Sequence, residues 1–258
     1  MPRSSKALQQ KPSSLTDDQG WTHVIRGAHN IRKPTKTPSL NDSPNISPAK
    51  VTEGQQRYAA LWSSSACCHQ LRMILEQEIP LTHNLQMDKC VCLGLGSFTD
   101  GRTSSKHQLA TLTWMLGILS QKHTFQAVLF QDPAFTASDV AYLESLGHHV
   151  LESPLAFDQI DESTFLFAPH LEANVYAAAL EKKVPALVVG SNVTELIGRP
   201  ISSGVDEAQR VRENSIFCCF SDLTLSEPMP QYDRDTWCYY TNIYRRQDMR
   251  SERSCDHS

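Results

Sequence analysis

"CVCLGLGSFTDGRTSSKHQLA", residues 90–110, decides the fold. An unbroken apolar run ends in Gly94-Leu95-Gly96-Ser97, a polar loop follows, and a helical pattern begins. A short apolar run without polar alternation is a strand buried on both faces. A strand that turns on glycines into a helix is the opening unit of a parallel α/β layer. The first helix is predicted over Ser105–Lys122, with Leu109, Leu112, Leu116 and Leu119 on its inner face and hydroxyls at 103–105 to cap it.

The same alternation repeats downstream. "FQAVLFQDP" (125–133), "HHVLES" (148–153), "STFLFAPH" (163–170) and "VPALVVGSN" (184–192) read as four further strands. Between them, Thr136-x-x-Asp139 is a capping box for a helix closed by Gly147. An Ala-rich helix is predicted over Leu171–Lys183. Upstream, Tyr58, Leu61, Trp62, Cys68, Leu71, Ile74 and Leu75 mark one face of a helix over 53–79, ended by Pro80. Beyond 205 the pattern weakens, and "SIFCCFSDLTL" (215–225) and "TWCYYTNIY" (236–244) are read as added edge strands. Right-handed crossovers then build a three-layer, Rossmann-like, doubly wound α/β fold with a mostly parallel sheet.

Composition divides the chain of 258 residues. Residues 1–50 hold six prolines and seven serines and carry about +5 charge, while the rest carries −9. The first 50 residues read as a disordered basic tail, 51–245 as the folded domain, and 246–258 as a frayed terminus. Trp21, Val24 and Ile25 are unusual in such a tail and suit a short edge strand or a docking motif. The TP and SP dipeptides at 37–38, 43–44 and 47–48 suit phosphorylation or a plain linker. The acidic body argues against nucleic-acid binding, and no apolar run of 18 residues spans a membrane. The start of the chain lacks an apolar leader, and adjacent cysteine pairs suit no disulfide framework, so the eight cysteines are expected as reduced thiols. No C-x-x-C occurs. Cys90 and Cys92 point to one face of their strand and are expected to be buried small side chains, with no metal site.

Ligands of open parallel sheets bind beyond the carboxyl ends of the strands, where strand order reverses. The residues there are Gly94, Gly96 and Ser97, then Gln131 and Asp132, then Pro169, His170 and Glu172, then Gly190, Ser191 and Asn192. Glycines let a ligand approach the backbone, and an acid at Asp132 suits a ribose. Yet the third glycine of a dinucleotide fingerprint is missing, and a plain strand-to-helix turn explains the glycines equally well. His170 and Glu172 are the candidates for general acid–base work, with capping of the next helix as the alternative. No Ser–His–Asp order, P-loop or HExxH is present.

Several spaced motifs then agree in order: Gly94, Gly96, Ser97; Gln108-Leu109-Ala110; Asp132-Pro133-x-Phe135; Pro169-His170 with Glu172; Asn174 and Tyr176. Over about 52–225 the chain resembles the "sensitivity to red light reduced" family. "GWTHV" near 21 resembles its upstream motif, and "CFSDLTL" (219–225) resembles its closing segment. Leu171 stands where the family usually has cysteine, and Ser-Asp-Leu replaces Asn-Asp-Thr. The resemblance implies a regulator of circadian rhythm and stress responses, with microtubule or haem-metabolism links in some lineages. It implies cytoplasmic and nuclear location and names no reaction; protein partners, recruited by the tail, are expected with the regulatory reading.

Three functions follow. The first is a regulatory protein with a nucleotide-like ligand at Gly94, Gly96, Ser97, Asp132, Pro169, His170 and Ser191. The second is a methyltransferase-like enzyme, with adenosylmethionine against Gly94 and Gly96, its ribose at Asp132, and substrate at His170 and Glu172. The third is an interaction module with a vestigial pocket.

Overall fold

The computed structural model describes residues 46–78, 86–100, 102–197 and 206–247, and the backbone of two strands near the start. Two compact units are present, Met1–Asp42 and Ser43–Ser258. In the first, β1 (Ser13–Thr16) pairs antiparallel with β2 (Thr22–Ile25). The strand expected around Val24 and Ile25 is therefore present. Trp21, the dipeptides at 37–38 and 43–44, Pro80 and residues 248–258 lie outside the described residues.

The second unit is a seven-stranded sheet. Five strands are parallel: β3 (Lys89–Leu93), β4 (Ala127–Gln131), β5 (His149–Val150), β6 (Thr164–Ala168) and β7 (Leu187–Ser191). Two more, β8 (Thr224–Pro228) and β9 (Thr241–Arg246), complete the order β5-β4-β3-β6-β7-β9-β8. Only β9 runs against the rest, pairing antiparallel with both β7 and β8. Strand order reverses between β3 and β6, the crevice site of this architecture.

Period-two alternation divides the core in two. Cys90, Cys92, Phe165 and Phe167 face a cluster formed with α1 (Pro48–Ser63), α2 (Ala66–Met73), α3 (Thr103–Leu119) and α4 (Ala137–Ser145). Val91, Leu93, Leu166 and Val188 face the opposite cluster, formed with α5 (Ala173–Leu180), α6 (Val193–Ile197) and α7 (Glu207–Asp222). Helices cover both faces, so the fold is the three-layer α/β sandwich expected, and Cys90 and Cys92 are buried thiols within it.

Boundaries differ from expectation where local chemistry overrides pattern. Ser47-Pro48 opens α1, because proline suits the first helical position. The long upstream helix is broken at Ser64–Ser65, where Ser65 Oγ accepts from Cys68 N at 3.1 Å and restarts it as α2. A π-helical turn, Ile74–Glu78, extends α2. The Thr136/Asp139 capping box is present as expected. The apolar run at 215–220 is the end of helix α7, and the edge strand begins only at Thr224. Phe217 and Phe220, three apart, are buried while Cys218 and Cys219 are exposed, which is helical spacing.

One ion pair ties the amino ends of the central strands. Lys89 Nζ lies 2.7 Å from Asp161 Oδ2. Burial alone raises the Asp161 carboxyl, but hydrogen bonds from Lys89, Ser163 and Thr164 outweigh it and bring it to about 2. A carboxyl depressed on folding contributes stability above its unfolded value near 4 and loses it as pH falls towards 2. Asp161→Asn is therefore expected to be less stable than wild type at neutral pH. The two denaturation midpoints should converge below about pH 3, a trend readable from urea curves across that range.

Candidate functional site

The carboxyl ends of β3, β4, β6 and β7 bring the predicted residues to one edge of the sheet. Gly94 (φ +70°) and Gly96 (φ +74°) are both left-handed, which is why glycine stands there. The space beside each is filled from within. A Cβ on Gly94 would run into the Cδ2 methyl of Leu171, and one on Gly96 would lie 2.8 Å from Ser105 Oγ. Leu171, the departure from the family pattern, thus packs against the glycine turn.

The turn's amides are held by carboxylates of the chain itself. Asp132 Oδ2 accepts from Gly96 N at 2.6 Å and Oδ1 from Ala134 N at 2.7 Å. Asp139 Oδ1 accepts from Phe98 N at 3.1 Å and Thr99 N at 3.0 Å, while Oδ2 caps Thr136 N at 2.8 Å. Ser97 Oγ accepts from Thr99 N and Asp100 N. Burial raises the Asp132 carboxyl, and the Ala134 and Gly96 amides partly offset it.

The hydroxyls expected to cap α3 do something else. Arg102 occupies the cap position, and its side chain makes no capping bond. Ser104 Oγ donates to both oxygens of Asp235 at 2.9 and 3.0 Å, and Thr103 Oγ1 to one of them at 3.5 Å. Asp235 also accepts from Trp237 N at 3.0 Å. The segment 229–240, between β8 and β9, is thereby fastened to the start of α3.

Pro169 is buried, and His170 after it is exposed. His170 has φ +60° and Tyr240 φ +57°; both are non-glycine residues in the left-handed region. His170 Nε2 bonds to the Trp237 carbonyl, which also accepts from Thr241 Oγ1 at 3.1 Å. A carbonyl accepts, so Nε2 is the donor and Nδ1 is the ring nitrogen left for another partner. Glu172 is exposed at the start of α5 and makes no capping bond. Ser191 is buried, with its carbonyl accepting from Tyr244 Oη at 3.1 Å. Gln131 is turned to the amide of Ala156 at 2.8 Å.

Three contributors escape sequence reading. Asp139 announces itself as a capping residue, but its bonds to the loop 41 positions earlier carry no signal. Asp235 and Trp237 lie more than 60 residues from the groups they hold. Two grooves, of about 450 Å³ beside β5 and 520 Å³ between α5 and α7, include none of the predicted site residues. Among the described residues, no three His, Cys, Asp or Glu side chains are grouped to hold a metal. No helix among them is long and apolar enough to cross a membrane.

Comparison with known proteins adds the family. Two solved structures that the chain is similar to are archaeal. A Thermoplasma acidophilum protein is 11 % identical, with TM-score 0.34, over 74 % of this chain and 97 % of that one. A Pyrococcus horikoshii OT3 protein is 9 % identical, with TM-score 0.31, over 74 % of this chain and 99 % of that one. No curated protein sequence matches. The SRR1 domain matches residues 64–247, a span running from the start of α2 to the end of β9. The chain belongs to the SRR1-domain family.

Proposed function

We propose that this protein is a regulator of the circadian and stress-response type that binds a small ligand at the carboxyl edge of its sheet. It acts in cytoplasm or nucleus and passes the bound state to protein partners. The observation that carries the ligand reading is His170. An exposed imidazole in a left-handed conformation costs of order 1–3 kcal/mol, which proteins retain at functional sites. Its Nε2 is committed to the Trp237 carbonyl, so Nδ1 is the nitrogen left to meet a ligand.

The surrounding carboxylates set the ligand's class. Phosphate sites use free turn amides and helix N-termini. Here Asp132 and Asp139 already occupy the amides of Gly96, Phe98 and Thr99, and Asp235 sits at the start of α3. A phosphate would find its donors taken and like charge beside them. A nucleoside or a cationic nucleoside derivative instead donates hydroxyls to the remaining lone pairs of Asp132.

A second reading is a methyltransferase-like enzyme. It is favoured by the strand order, in which an antiparallel β9 lies between the fifth parallel strand and the last. Adenosylmethionine-dependent methyltransferases share that arrangement, an analogy of fold. In this reading His170 Nδ1 takes the substrate's proton, and Glu172 borders the substrate. An interaction module with a vestigial pocket is the remaining alternative.

Thermal shift on the full chain separates these. Adenosine and adenosylmethionine are expected to raise the midpoint, and AMP, ATP and NAD to leave it unchanged. Ligand at a hundred times its dissociation constant adds about 2.7 kcal/mol, several degrees for a domain of this size. Asp132→Ala and His170→Ala should each abolish the shift. A shift with the nucleotides overturns the class, and no shift with any probe leaves the interaction module.

A further inference from the structure

Polar atoms buried without a partner are few in folded proteins, and each calls for an explanation. Here five of them sit on four touching rings and on the residue that follows one of those rings in sequence. Trp62 Nε1, His107 Nδ1, Gln108 Oε1, Tyr232 Oη and Trp237 Nε1 are all buried and unpartnered. None of the five residues is more than 6 % exposed.

Four of the five are rings of one chain of contacts. Tyr232 stacks edge-on against His107 (5.0 Å between centroids) and against Trp62 (5.4 Å). Trp62 in turn meets Trp237 at 6.5 Å, and Trp237 meets Phe167 of β6 at 6.1 Å. Gln108 follows His107 on α3. The cluster lies directly behind the strand-end site, because Trp237 belongs to both. Its ring is in the cluster and its carbonyl holds His170.

We propose that this ring cluster is the recognition compartment for the planar, uncharged heteroaromatic part of a ligand, of purine type. The proposal rests on the ligand reading above and adds where the ring of that ligand goes. Aromatic walls favour stacking on a flat guest. The unpartnered set mixes kinds: two indole N–H donors, one amide oxygen acceptor, and a phenol and an imidazole nitrogen that serve either way. A purine edge alternates donors and acceptors in the same manner. An apolar guest would leave all five unpaired. The rings themselves carry no charge to match a charged guest; burial pushes His107 down towards its neutral form, against the pull of Asp235.

The segment 229–240 covers the compartment. It is fastened by the Ser104–Asp235 bonds and by Cys67 Sγ, which bonds to the Pro230 carbonyl at 3.1 Å. Entry therefore requires this segment to lift, at the expense of those bonds. The unpartnered groups are then a stability cost retained for binding, the trade-off seen at functional sites.

Intrinsic fluorescence of the full chain tests this. Trp62, Trp114 and Trp237, three of the four tryptophans, belong to or adjoin the cluster. Adenosine is expected to quench their emission saturably. Tyr232→Phe and Gln108→Met should each weaken that binding roughly five- to tenfold. Tyr232→Phe should also raise the ligand-free melting temperature, since it removes an unpartnered hydroxyl. Binding that is lost in Asp132→Ala but unchanged in both cluster variants overturns this inference while the ligand site stands. A lower ligand-free melting temperature for Tyr232→Phe also overturns it, by showing the hydroxyl satisfied within the fold. Absence of quenching and of thermal shift with every probe sinks both readings together.

Discussion

Asp139→Ala is expected to destabilise the domain by roughly 3–5 kcal/mol, the sum of two stranded amides and a lost helix cap. The side chain is fully buried and makes bonds in two directions. One oxygen holds Phe98 N and Thr99 N; the other holds Thr136 N and accepts from Thr136 Oγ1, both at 2.8 Å. Alanine leaves the buried Phe98 amide without an acceptor and unties the glycine turn from α4. Urea denaturation at neutral pH measures the loss. Asp139→Asn keeps one acceptor oxygen and should lose less. A loss under about 1 kcal/mol for the alanine variant would mean that water replaces the carboxylate.

Gly190→Ala is expected to cost about 3 kcal/mol, the upper part of the range for overpacking a core. Gly190 lies in β7, between β6 and β9. A Cβ there would sit 2.7 Å from Cζ and 2.9 Å from Cε2 of Tyr176, with the hydroxyl oxygen closer still. The Tyr176 ring is wholly buried on α5, so it has no easy retreat. Its hydroxyl makes no hydrogen bond. Burial therefore holds the phenol well above its ordinary range. Tyr176→Phe alone should be neutral or mildly stabilising, because no bond is lost. In the double variant it should recover about 1 kcal/mol or more of the alanine defect, since contacting residues couple. Strict additivity of the two changes in denaturation free energy would show that the hydroxyl is not what the new methyl meets.

The Gly190–Tyr176 pair illustrates how sequence and tertiary structure divide the information. Both residues stand in recognisable elements, a valine-rich strand and an Ala-rich helix, and each element was legible alone. Their contact was not, because it depends on which face of β7 receives α5. The glycine turn shows the same division. Strand, turn and helix follow from residues 90–110, because burial on both faces excludes polar residues and left-handed φ selects glycine. What fills the turn does not follow. Leu171, Ser105, Asp132 and Asp139 reach it from other elements; the first two fill the space beside the glycines, and the two carboxylates take its amides.

Local chemistry also misleads where two periods coincide. "SIFCCF" is as apolar as a strand, and only packing on the α5–α7 side makes it a helix with Phe217 and Phe220 inward. The break at Ser64–Ser65 needed a serine cap that the apolar spacing around it conceals.

By itself the sequence determined the parallel α/β layers, their order along the chain, the glycine turn and the family motifs. Each of these is a local consequence of burial, backbone freedom or capping. Only the tertiary structure decided that β9 enters the sheet reversed and that segment 229–240 closes over α3. It alone brings His170 to the Trp237 carbonyl and gathers four rings with unpartnered polar atoms behind it. Those outcomes depend on contacts between residues 60 to 170 positions apart, such as Ser104–Asp235, His170–Trp237 and Cys67–Pro230, and no short-range pattern encodes such distances.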